Sequence, residues 1–397
     1  MLPLLLLVLA APKGGAAAPA KPLLPNKAAV FVSSPNEADA AKVEGDLTKA
    51  LDEATVPLVD VSEAFPTPAR DDSGDKLVKE ARQAYDDLDY EGAATKWQTA
   101  LEFFQKNPHL ADAKNLADAH FFIGALAIQN GGKAQSKKGQ EEFTRALLHN
   151  PALTCDPQVY GADVKKAFDK ALADVSGKAT APVTVESNPP GAMVSLKGKE
   201  LGRTPLAEAP SLPVGRHLFL FTKPGYEPAG AFADVSKDGV TVKPSLTAAP
   251  GYSDVRDAAA AVVGKGVGAK GALPAGAKKL AEVVKARFLV LSDGATAEVW
   301  DVESGNRLTG LSVSSEELAN SAKKINGFIA KPGPAAVAEA EVSESPSEPS
   351  ASGPVYTKWW FWTAVGVVAV GAGTGIGVAA ANGNAPRPYN VVLGLPQ

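Results

Sequence analysis

Polar and apolar positions follow three different rhythms along this chain, and each change of rhythm marks a boundary. Residues 28–33 (AAVFVS) are a short apolar run, the pattern of a buried strand. Apolar side chains then recur at Ala41, Val43, Leu47 and Leu51 with good helix formers between them, which predicts a helix over 37–54. Residues 56–61 (VPLVDV) predict a second strand, so 27–65 reads as a small β-α-β unit with parallel pairing. Pro66, Pro68 and the DDSGD run at 71–75 close it.

Residues 76–176 keep a helical period throughout. Leu77, Ala81, Ala84, Tyr85 and Leu88 make one stripe; Ala93, Trp97, Ala100, Leu101 and Phe104 make the next, with a short link around Asp89–Gly92. The alternation of small and large residues resembles a tetratricopeptide repeat. A second copy is expected from Ile123 and Gly124, then Phe143, Ala146, Leu147 and Pro151. Trp97 and Phe143 are 46 positions apart rather than one 34-residue period, so the pair is degenerate, with extra length expected at 107–115 and 131–138. A last helix over 164–175 would cap the stack. Such a stack offers a concave face for peptides; a plain packed bundle is the equal alternative.

At 181–247 the period becomes two. Val183 and Val185 alternate with Thr184 and Glu186, Val194 and Leu196 with Met193 and Ser195, and Gly198, Pro213, Gly215, Pro224 and Gly225 punctuate short strands. Five blocks follow in order: VTVES at 183–187, PPGA at 189–192, LGRTPL at 201–206, LPVGRH at 212–217 and KPGYEP at 223–228. This succession resembles a PEGA domain, with Pro190 where the family's name tetrad carries Glu. The resemblance implies a β-sandwich-like surface module of bacterial envelope proteins and no catalytic residue.

Mixed character returns over 252–330. A helix around 258–263, a Gly-rich break at 264–271, a helix over 277–285 and strands at 288–291, 296–302 and 307–311 precede a helix over 316–329. These pieces either complete the sheet begun at 28–33, with everything between inserted, or form a separate small α/β lobe. Residues 331–357, rich in Pro, Ser, Ala and Glu, read as a disordered linker. Residues 359–381 are 23 positions without a charge, which as a helix would cover about 34 Å, enough for a hydrocarbon core of about 30 Å. Trp359, Trp360 and Trp362 suit its headgroup end. Gly371 and Gly375 share one helix face and could seat a second copy or another span. Residues 382–397 form a short tail. At the other end, residues 1–20 read as a signal peptide, although no basic residue precedes its apolar core.

The fold class expected is therefore multidomain α+β: a tetratricopeptide-like helical region, a small all-β PEGA-like sandwich, small α/β lobes and one C-terminal transmembrane helix. Net charge is −4, with 40 basic and 44 acidic residues, so no broad basic field exists to bind nucleic acid. Cys155 is alone, which excludes an internal disulfide and a cysteine-based zinc cluster. His109, His120, His149 and His217 match no metal spacing, and no hydrolase elbow, phosphate loop or zinc-protease motif occurs. Gly264, Gly266 and Gly268 resemble part of a dinucleotide fingerprint but lack the strand that should precede it. No catalytic, cofactor-binding or metal-binding residue is expected.

These readings converge on a non-catalytic, membrane-anchored envelope protein with a binding or scaffold role. Its partner would be another envelope protein or the cell wall, with the bulk of the chain periplasmic and one pass through a bacterial cell membrane at 359–381. Two alternatives stand beside it. One is a cytoplasmic, tail-anchored adaptor. The other is an enzyme with an unrecognised site in the α/β lobe, for which Ser292, Asp293, Glu298 and Asp301 are the available polar groups, expected to face solvent.

Overall fold

The computed structural model describes residues 23–268, 272–332 and 336–337. One mixed sheet joins the two ends of this stretch. Its strand order is β1 (Ala28–Val32), β9 (Phe288–Ser292), β10 (Thr296–Asp301), β11 (Arg307–Ser312) and β12 (Ala336–Val337). The run AAVFV pairs in parallel with FLVLS, from Ala28 opposite Phe288 to Val32 opposite Ser292. Every side chain of β9 is buried, as a strand covered on both faces requires. Helices α1 (Glu37–Glu53) and α11 (Leu318–Ala330) cover one face, burying Leu47, Leu51, Ile325 and Phe328 against Phe288 and Val290. Helices α9 (Tyr252–Gly266) and α10 (Ala277–Val284) cover the other, burying Val255, Ala259, Leu280 and Ala281 against Phe31, Leu289 and Leu291.

The sequence left open whether 28–61 and 252–330 share a layer; strand pairing makes them one sheet. The strand expected at 56–61 does not form. A single bridge links Leu58 to Ala28, and Asp60 then caps a short helix, α2 (Val61–Ala64), by accepting from the Ser62 and Glu63 amides. Pro57 lacks the N–H a ladder needs, and Asp60 favours a helix start. The linker expected from 331 also contributes β12, which pairs in parallel with β11.

Between β1 and β9 lie two inserted parts. The first is helical: α3 (Ser73–Asp86) and α4 (Tyr90–Lys106) make one hairpin, and α5 (Ala113–Gln129) and α6 (Lys133–His149) make a second. A one-turn 3₁₀ segment at Pro108–Leu110 joins them. A short α7 (Pro157–Tyr160) leads to α8 (Ala162–Ser176), which packs on α6 through Phe168 and Phe143. Trp97 lies flat on Phe122, centroids 5.0 Å apart, and both belong to a core of small residues and aromatics (Ala81, Ala93, Ala100, Phe104). The expected insertion at 131–138 is mostly helix, since α6 begins at Lys133.

The second inserted part is all β. Strands β5 (Ser211–Pro213), β2 (Thr180–Val185) and β8 (Val240–Val242) form one sheet. Strands β4 (Lys199–Arg203), β3 (Met193–Leu196), β6 (Gly215–Thr222) and β7 (Ala229–Val235) form the other. Both feed one core of Val183, Val185, Val194, Phe219, Phe221 and Val235. The exposed–buried alternation of β2 follows the period-two pattern of its sequence.

The leader at 1–20, the apolar span at 359–381 with Gly371 and Gly375, and the tail at 382–397 lie outside the described residues. Among the described residues, no helix is long and apolar enough to cross a membrane.

Candidate functional site

The β module is wedged between the other two parts, and each of its two seams borders a cavity. Toward the mixed sheet, the seam lies along the outer edge of β1, where α1 and α9 overhang the strand from opposite faces. Arg256 of α9 reaches Glu44 of α1, with Nη1 donating to Oε1 at 3.0 Å and Oε2 at 3.1 Å. Both side chains are largely buried, about one-fifth exposed. Burial alone would lower the Arg256 pKa, but the Glu44 carboxylate outweighs it and raises it. Burial likewise lifts the Tyr252 hydroxyl far above its ordinary range, with Glu44 adding to the effect. Tyr226, edge-on to Tyr252 at 5.5 Å, is raised by burial as well.

Two further cations come from the β module. Lys223, in the turn after β6, is half-buried, and burial lowers its pKa despite the opposing pull of Glu44. Arg203, at the end of β4, donates from Nη1 to the Gly191 carbonyl at 3.1 Å. A Cβ on Gly191 would stand 3.0 Å from Lys223 Nζ, so both cations converge on that one residue. Among the described residues, neither has a carboxylate within salt-bridging distance. They face a cavity of about 240 Å³, lined on its apolar side by Phe31, Val59, Phe65 and Val255. Gly225 allows the module to close on this seam: its φ is +79°, and a Cβ there would sit 2.3 Å from the Tyr252 ring.

The opposite seam presses β6 and β7 onto the helices. Gly230 meets the 3₁₀ turn so closely that a Cβ would lie 2.4 Å from the Pro108 carbonyl carbon. Leu218 of β6 joins the helical core. Here three of the four histidines gather, although the sequence had scattered them. His120 Nδ1 is 2.6 Å from Glu142 Oε2, and Arg145 also pairs with Glu142. The His120 and His149 rings stack at 5.7 Å. His149 is 4% exposed, and burial pushes its pKa down to about 3, with neighbouring His120 and His217 contributing. His217 is fully buried; its Nε2 meets the Pro213 carbonyl at 2.8 Å, its Nδ1 has no partner, and burial lowers its pKa. A cavity of about 370 Å³ opens beside them, lined also by Arg216, Phe232 and Asp234. Among the described residues, no group of His, Cys, Asp and Glu is arranged to hold a metal.

The polar groups expected to face solvent in the α/β lobe behave differently. Ser292, Glu298 and Asp301 are buried, and only Asp293 is exposed. Ser292 Oγ donates to the Thr296 carbonyl at 2.7 Å, and Asp293 accepts from the Ala295 and Thr296 amides, so both hold the β9–β10 turn. Asp301 takes both Arg287 Nε at 2.9 Å and Nη2 at 2.7 Å, and Glu298 accepts from the Gly268 amide at 2.8 Å. They brace loops and converge on no common point. Glu298 and Asp301 are buried because β10 is covered on both faces beyond Thr296.

Cys155 is buried in the core of α5, α6 and α8. Sequence reasoning passed over Lys223 and Arg203, which stand in turn blocks of the module where charge is ordinary. Their meaning comes from α1, which ends at Glu53, 150 positions before Arg203 and 170 before Lys223.

Residues 180–248 match the model of the PEGA domain family. No curated protein and no solved structure matches the chain.

Proposed function

We propose that this chain is a non-catalytic binding protein whose PEGA domain, held between a mixed sheet and two helical hairpins, forms a ligand seat at the seam with the sheet. The observation that carries this reading is the pair Lys223, half-buried, and Arg203, exposed, which line one open cavity and, among the described residues, have no carboxylate within salt-bridging distance. The helical hairpins serve as a degenerate tetratricopeptide-like platform for a protein partner. Residues 359–381 anchor the body to a bacterial membrane, and residues 1–20 direct it to the periplasmic side. The match at 180–248 supports a module without an active site, and the apolar composition of 359–381 supports the anchor.

Location and binding are tested separately. Alkaline carbonate extraction should leave the full chain in the membrane pellet, and a periplasm-dependent reporter fused after Lys331 should be active. A washed-off protein or a silent reporter removes the address. For binding, a photo-crosslinking residue at Ala41, on the cavity wall, should capture a discrete adduct in intact envelopes; absence of any adduct above background removes the seat.

A further inference from the structure

The seam cavity is asymmetric in a way that selects its occupant. One wall is apolar, formed by Phe31, Val59 and Phe65 among others; the opposite rim holds two cations that meet at Gly191. Carboxylates are present but occupied. Glu44 is engaged by Arg256, and Asp60 caps α2. A single negative charge placed at Gly191 would find Lys223 and Arg203 without displacing an existing pair. A doubly charged group would stand near Glu44 and Asp60, which also line the cavity, and two like charges at short range in a poorly hydrated space repel strongly. Size sets a second limit: about 240 Å³ lies just under the range of drug-sized sites and suits a body of a few carbons.

We infer that this cavity receives a monocarboxylate with a short apolar body, the carboxylate set between Lys223 and Arg203 and the body against Phe31, Val59 and Phe65. The inference rests on the binding reading above and narrows it to a chemistry. The carboxylate has two sources: a free short-chain acid, or the C-terminus of a peptide ending in a small apolar residue. Recognition follows from charge-assisted hydrogen bonds to the half-buried Lys223 and the exposed Arg203, together with burial of the apolar body against the opposite wall.

The test uses the full chain in lipid nanodiscs, titrated calorimetrically with hexanoate, with the tripeptide Gly-Gly-Val carrying a free C-terminus, with its amide, and with inorganic phosphate. Hexanoate binding alone identifies a free acid; tripeptide binding that the amide lacks identifies a peptide terminus; either supports the inference. Lys223→Met should weaken binding at least tenfold. Ala41→Leu, which keeps both cations and fills the cavity, should do the same. Reductive ¹³C-methylation reads the Lys223 amine directly, and its titration should move upward when the carboxylate is added. That readout holds even where Lys223→Met fails to fold. Phosphate binding as tightly as the carboxylates would overturn the inference, as would an unmoved Lys223 signal or unchanged affinity in the Ala41→Leu variant. An adduct at Ala41 in envelopes alongside no carboxylate binding would leave the seat standing and the chemistry refuted.

Discussion

The two seams of the β module are built from the same strand, β6 and the turn that follows it, yet they settle their charges in opposite ways. At the helical seam the carboxylates are answered: Glu142 takes His120 and Arg145, and Asp234 lies near Arg216, which covers the Phe232 ring at 4.5 Å, while Lys197 stands half-buried with its pKa lowered by burial. Histidines remaining there are kept neutral by burial. At the sheet seam Glu44 pairs with Arg256 and pulls more weakly on Lys223, Asp60 is taken up by its helix cap, and Arg203 rests on the Gly191 carbonyl. The first arrangement, a joint, keeps its carboxylates paired with cations. The second leaves Lys223 and Arg203 outside any salt bridge among the described residues. A seam's cavity volume says little about this difference, since the joint has the larger one; the balance of charges decides it.

The comparison breaks most forcefully at Glu44. Glu44→Leu leaves Arg256 enclosed without a partner and should cost about 3 kcal/mol, the usual penalty for halving a buried pair. Urea unfolding monitored by hydrogen exchange in α1 and α9 would register it. The double variant Glu44→Leu with Arg256→Leu should recover most of the loss, and equal destabilisation in both variants would count against an ion pair that spans the strand edge.

At the joint, Gly230→Ala forces a Cβ against the Pro108 backbone and should cost about 2 kcal/mol. Limited proteolysis between α8 and β2 should quicken, while carboxylate affinity at the other seam stays within twofold. A matching fall in that affinity would show that the seams are one unit rather than two.

Acid sharpens the contrast. His149 has a folded pKa of about 3 against an ordinary 6.5. As pH falls below 6.5 the unfolded chain takes up a proton that the folded joint refuses, so stability is full above that point and declines toward pH 3. By pH 5 the loss from His149 is about 2 kcal/mol, and His217, also depressed, adds in the same direction. The groups facing it are His120, Glu142 and Arg145 on the helices and Lys197, Arg216, His217 and Asp234 on the module. Melting curves of His149→Leu should therefore be flatter between pH 7 and 5; an unchanged slope would remove His149 as the sensor.

The smallest effect is expected at Lys223. Replacing its ammonium by Met removes a charge that burial disfavours and should raise stability by about 1 kcal/mol while weakening carboxylate binding at least tenfold. Opposite signs in stability and affinity are what a seat, unlike a joint, should give.

Much of the frame was legible before any coordinates. The alternation of 183–196 marked the β module, and the runs AAVFV and FLVL marked two buried strands, because strand burial writes itself into local sequence. VPLVDV misled for a local reason as well: it is apolar enough for a strand, but Pro57 and Asp60 have conformational demands that outweigh hydropathy. The seams were illegible for a different reason. His120, His149 and His217 belong to three elements, and Glu44, Lys223 and Arg256 to three others, so no spacing rule joins them. Sequence patterning reports which side of an element faces inward. It does not report which other element waits there.

One feature of the topology has a mechanical meaning. Because β1 and β9 run side by side in the same direction, tension applied between residues 27 and 293 would load that pair in shear, along its five-residue register. The helices and the β module, strung between the two strands, would bear none of that load until the pair parted.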